Sequence, residues 1–142
     1  MTIPTISSGI AGPLGVLHMP RFWQKVSLDA VGKLHSDYPA CGAGYDQMML
    51  DAVGLDKDAT LAFIKESKPT YVQFEAYVSE NATNLEAGKA EFNAACIGYN
   101  HDDDTRNNIL SAVGLPGADI KDAVNLNNLE DWNDFHGQEI AG

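Results

Sequence analysis

Residues 50–55 read LDAVGL and residues 110–115 read LSAVGL. The hexamers differ at one position, and in both a glycine, Gly54 or Gly114, stands where a helix needs a left-handed residue to close. Outward from this anchor the correspondence continues in the same order. Gly32-Lys33 answers Gly88-Lys89, Ala40-Cys41 answers Ala95-Cys96, and Gly44-Tyr45 answers Gly98-Tyr99. Downstream, Tyr71, Phe74 and Tyr77 align with Leu129, Trp132 and Phe135 at the same three-residue steps. Five matches in one order predict a tandem duplication over about 28–78 and 84–136.

The local signals are helical. Pro20 opens a segment in which Phe22, Trp23, Val26, Ala30 and Leu34 form a one-sided apolar stripe. Asp56 and Asp58 offer N-caps to the run carrying Leu61, Ala62 and Ile64. Thr70 with Gln73 fits a capping box, and Asn128 with Asp131 is the matching pair downstream. Sustained period-two alternation of β-branched residues is absent, so no strands are predicted. The expected fold is all-α: an N-terminal arm over residues 1–19, then one helical domain over 20–142, built of about seven short helices with pseudo-twofold character.

Composition narrows the function. A chain of 142 residues with 44% apolar content can bury a core without disulfides or a structural metal. The formal charge of −11 argues against nucleic acid or an anionic membrane as partner, since both are polyanions that select Lys and Arg. The first twenty residues carry no basic n-region and are broken by proline, which does not fit a secretory signal. Nor does any run approach the roughly 20 apolar residues of a membrane span. The expected location is therefore the cytoplasm.

The most conspicuous polar stretch is NHDDDTRNN at 100–108. Its aspartates fall between the second Gly-Tyr pair and a helix, where carboxylates accept orphan backbone N–H groups and meet the positive end of the dipole. As a calcium loop counted from Asp102 it fails, with Asn107 and Val113 where glycine and glutamate belong. The preferred reading is a helix cap with no cofactor. A divalent ion at His101, Asp102, Asp103 and Asp104 is the alternative.

Other residues carry paired readings. Cys41 and Cys96 hold matching positions and read as small buried hydrophobes, with a thiol pair as the alternative. Tyr45 and Tyr99 follow glycine and read as core anchors. Together with the two cysteines they would line a ligand pocket between the repeats if the protein were a small enzyme or metal-dependent binder. The arm GPLGVLHMPRFWQK concentrates His18, Arg21 and Trp23, which suits contact with a partner; Trp132, near the other end, is a second interface anchor. The leading expectation is a small acidic, non-catalytic binding or accessory subunit. It would act through the arm and a helical face, with a protein partner or a second copy of itself.

Leu17 to Arg21 as LHMPR, followed by Lys25, Gly32-Lys33-Leu34, Tyr38, Asp46 and Gly54-Leu55, resembles a bacterial family known as domain of unknown function 5069. The resemblance spans residues 17–78 and reaches the second copy only faintly. It implies a compact helical domain with no assigned activity, and so transfers no catalytic residue.

Overall fold

The computed structural model describes residues 1–142 and is all-α, with seven α-helices, a closing π turn and no strand. Extended pairing is confined to single bridges, such as Thr2 with Leu34 and Asn100 with Asp122. No helix is long and apolar enough to cross a membrane. Packing divides the chain into two compact units, Met1–Cys96 and Ile97–Gly142.

The first unit holds α1 (Met19–Ala30), α2 (Tyr45–Val53), α3 (Lys57–Ser67), α4 (Tyr71–Asn81) and all but the last two residues of α5 (Leu85–Gly98). Pro20 sits in the first turn of α1, where a missing N–H costs nothing. That helix stops before the predicted Leu34, because the chain turns through a left-handed Gly32 (φ 70°), although Leu34 is still buried. Gly54 closes α2 at φ 76°, and its N–H and that of Leu55 both return to the Leu50 carbonyl. Asp56 caps α3 through the Ala59 N–H, and Thr70 with Gln73 forms the full capping box of α4.

These ends position the apolar faces. Phe22, Val26, Met49, Leu50, Val53, Ile64, Phe74 and Val78 are fully buried, each such side chain contributing about 1.5–3 kcal/mol of transfer free energy. Gly88 sets the approach of α5 to α2, since a Cβ there would overlap the Ala52 carbonyl. Ahead of α1 the arm lies on its own unit. Gln24 accepts from the Thr5 and Ile6 N–H groups, Glu75 accepts from Leu14 N–H, Lys89 Nζ donates to the Leu14 carbonyl, and Asn93 brackets Gly15 and Leu17.

The second unit contains α6 (Asp103–Ala112), α7 (Ala123–Phe135) and the π turn at His136–Ile140. The repeated hexamer closes α6 much as it closes α2, with Gly114 at φ 86° and Leu115 N–H bonded to the Leu110 carbonyl at 2.8 Å. Beyond this turn the halves diverge. No counterpart of α3 follows; Gly117, at φ 79°, redirects the chain, and Asp122 caps α7 through the Asn125 N–H. The predicted cap pair Asn128 and Asp131 lies inside α7, because the Asp122 cap starts the helix well before it.

Other predicted correspondences also part in conformation. Gly32-Lys33 is a turn, whereas Gly88-Lys89 is helical; Ala40-Cys41 is loop, whereas Ala95-Cys96 is helical. The shared local structure is thus the hexamer turn, and a duplication across both halves is not reproduced element by element. The core of the second unit is small: Ile109, Leu110 and Leu126, with Ala118 and Ile120 packed against them.

Candidate functional site

In the first unit a buried polar cluster joins four chain segments. Asp46, in the first turn of α2, receives three donors. His18 Nε2 lies 2.6 Å from one carboxylate oxygen; Lys25 Nζ at 2.6 Å and the Gly42 N–H at 2.7 Å reach the other. A carboxylate only accepts, so the His18 Nε2–H donates to it, which leaves Nδ1 to accept the Ser8 hydroxyl at 2.9 Å. Arg21 donates to the Ile6 carbonyl and lies over the Tyr38 ring. His18, Lys25 and Asp46, which are separated in sequence, therefore meet at one carboxylate, and Arg21 pairs with Tyr38 and the Ile6 carbonyl.

The electrostatics follow from burial. Desolvation holds His18 below its ordinary pKa, against the opposing pull of Asp46. Burial also works against the charged form of Asp46, yet the His18 hydrogen bond and the Lys25 charge outweigh it and bring the carboxyl down to about 2. The His18 backbone adopts the left-handed region (φ 69°), which costs a residue with a Cβ about 1–2 kcal/mol. Bonds at both ring nitrogens hold it there.

The structure places the other predicted residues as follows. His18 and Arg21 face inward, and Trp23 is half-buried, donating its indole N–H to the Pro69 carbonyl and meeting the Tyr71 ring edge-on. Tyr45 donates its hydroxyl to the Cys96 carbonyl, and its ring lies against His18 and Phe92. Burial raises the pKa of both thiols; near Cys41 the Asp46 charge adds to it. Tyr99 belongs to the second unit, where its carbonyl accepts the Ala123 N–H.

In the acidic stretch, Asp102 accepts from the Thr105 N–H at 2.7 Å and caps α6, while Asp103 and Asp104 stand in its first turn. The bond to Thr105 lowers the Asp102 pKa. His101 pairs with Asn127 at 2.9 Å, and Arg106 faces Asp103.

The second unit also displays a face with no covering element of its own. Trp132 is 64% exposed and Phe135 is 45% exposed on α7, and Ile140 follows on the π turn. Between α7 and the loop before it lies a groove of about 360 Å³ lined by Asp119, Ile120, Lys121, Asp122, Leu129 and Trp132. Residues 97–142 carry nine acidic side chains and two basic ones, a formal charge of −7.

The two three-residue stripes now differ sharply. In α4, Phe74 is fully buried against Phe22, Tyr71 meets Trp23, and Tyr77 stacks on Phe63 at 4.3 Å, so α1 and α3 cover the stripe. The second unit has no counterpart of α1 or α3, and the matching Trp132 and Phe135 face solvent. Sequence reasoning singled out Trp132 but missed the hub at Asp46. Its side-chain donors His18 and Lys25 lie 28 and 21 residues away, beyond any local motif, so no spacing in the sequence marks it. No protein-family model matches the chain, and no curated relative matches it.

Proposed function

We propose that this protein is a non-catalytic binding or accessory subunit that docks a partner protein on the α7 face of its second unit. The observation that carries this reading is the contrast between the two stripes. One aromatic row is covered by two helices of its own unit, while the other, at the same spacing, has its largest side chain 64% exposed. Exposed Trp and Phe grouped on one helix are the residue types that anchor interfaces. The arm is bonded to α1, α4 and α5 of its own unit, which makes the α7 face the better supported of the two surfaces.

The rival reading, a ligand pocket using Cys41, Tyr45, Cys96 and Tyr99, draws less support. Both thiols are held toward the protonated form, and the Tyr45 hydroxyl is engaged by the Cys96 carbonyl. Native mass spectrometry of the chain purified from its own cells without chelator separates the two. The expected result is a complex with a second polypeptide that Trp132→Ala and Phe135→Ser each dissolve, with the unfolding midpoint unchanged. A lone chain carrying a stoichiometric small molecule or metal would overturn the docking reading.

A further inference from the structure

Resting on that docking reading, we infer that the partner element is a basic amphipathic helix, with one Arg or Lys side chain seated in the groove beside Trp132. Three observations converge on this chemistry. The first is charge: the unit bears −7 over 46 residues, which favours a cationic partner. The second is the groove itself. It is lined by Trp132 together with Leu129 and Ile120, and by Asp119 and the α7 cap Asp122 against the single ammonium of Lys121.

A groove lined by an indole, aliphatic side chains and a carboxylate suits a guanidinium or ammonium on a hydrocarbon stem. The third observation is the kind of element that covers the matching stripe in the first unit. There α1 packs Phe22 against Phe74 and Trp23 against Tyr71, while its cations Arg21 and Lys25 turn away to the Ile6 carbonyl and to Asp46. A helix that presents large apolar side chains is thus the kind of element this chain already uses on a row of the same spacing, and the acidic charge of the second unit adds the requirement for cations. Its own α1 is buried within the first unit, which makes a different protein the source of the second such helix.

The test uses the full chain and three synthetic peptides of about 18 residues, long enough to hold a helix when bound. One carries Arg and Leu on opposite faces, one has every Arg replaced by Gln, and one has every Leu replaced by Ser. Binding is read by calorimetry and by the tryptophan emission that disappears in Trp132→Leu. The Arg/Leu peptide is expected to bind at least about tenfold more tightly than either control, a margin that matches a desolvated cation on an indole. Trp132→Leu and Asp119→Asn should each erase most of that margin while leaving the circular dichroism unchanged.

Equal binding of the Gln and Arg peptides would overturn the cationic inference and leave the docking reading standing. Binding of the Arg/Leu peptide that Trp132→Leu does not weaken would also overturn it, as charge attraction without the groove. Absence of binding by every peptide overturns it as well, and the native complex then decides the docking reading separately. A concentration-dependent dimer of the chain alone, lost in Trp132→Leu, would assign the face to a second copy and overturn the inference.

Discussion

Nε2 of His18 lies 2.6 Å from Oδ1 of Asp46, and both residues are almost wholly buried although 28 positions separate them. Asp46 is thereby the counter-ion for a second buried group, the Lys25 ammonium. Removing one member of such a pair leaves the other charge buried alone. Asp46→Asn should therefore lower unfolding free energy by about 3–5 kcal/mol in urea titration. Lys25→Met, which leaves His18 and the Gly42 N–H on the carboxylate, should cost less, about 1–3 kcal/mol. A loss under about 1 kcal/mol for Asp46→Asn would refute the hub.

Acid should weaken the first unit in two stages. His18 is held below the ordinary 6.5 in the folded state, so the unfolded chain binds that proton first and stability declines as pH falls below about 6.5. Asp46 moves from 3.8 to about 2, so its contribution is present above 3.8 and is lost as pH falls toward 2, a change of about 2 kcal/mol. Unfolding midpoints measured between about pH 8 and pH 2 should fall monotonically. Asp46→Asn should remove the lower stage, and midpoints that rise on acidification would contradict both assignments.

The matched stripes predict opposite responses to the same truncation. Phe74→Ala empties a fully buried site and should cost about 3–5 kcal/mol. Trp132→Ala removes a side chain that is mostly in water and should change stability by less than about 0.5 kcal/mol. Chemical denaturation of the two variants checks this, and similar losses would mean that α7 packs its stripe after all.

Gly88→Ala tests the contact of α5 with α2. The added methyl would overlap the Ala52 carbonyl, a backbone atom that cannot rotate away. Helix propensity alone would favour alanine by about 1 kcal/mol, so the sign of the change decides between local preference and packing. A net loss of about 1–3 kcal/mol is expected in thermal unfolding.

Both thiols should react slowly with a disulfide reagent at neutral pH. Burial raises each pKa, so the rate should still be climbing at pH values above the ordinary thiol range, with buried Cys96 the slower of the two. Rapid modification of either cysteine near neutrality would revive the nucleophile reading.

Much of the local architecture was legible from residue types. The left-handed closures at Gly54 and Gly114, the Asp56 cap and the Thr70–Gln73 box depend on contacts within a few positions, and the sequence displays both partners side by side. The start of α7 was misplaced because Asn128 and Asp131 imitate a cap pair, while the true one, Asp122 with Asn125, follows a turn that has no counterpart in the first half. The repeat was overextended for a related reason. Dipeptides such as Gly-Lys recur without fixing a conformation, so Gly32 is a left-handed turn residue and Gly88 a helical one. Tertiary placement was hidden. The inward turn of His18 and Arg21 follows from bonds to Asp46 and to the Ile6 carbonyl, which no spacing rule connects.

The clamp on the arm also orders events in time. Leu14, Gly15 and Leu17 are held by Lys89 and Asn93, partners 75 to 78 residues farther along the chain. A ribosome adding about 5–20 residues per second makes the arm seconds before it makes the helix that will hold it. During that interval the arm is a nascent segment whose docking site does not yet exist, and contacts of such long sequence separation are the slow ones to form. The first unit therefore completes only when α5 has emerged, with its earliest-made residues among the last to settle.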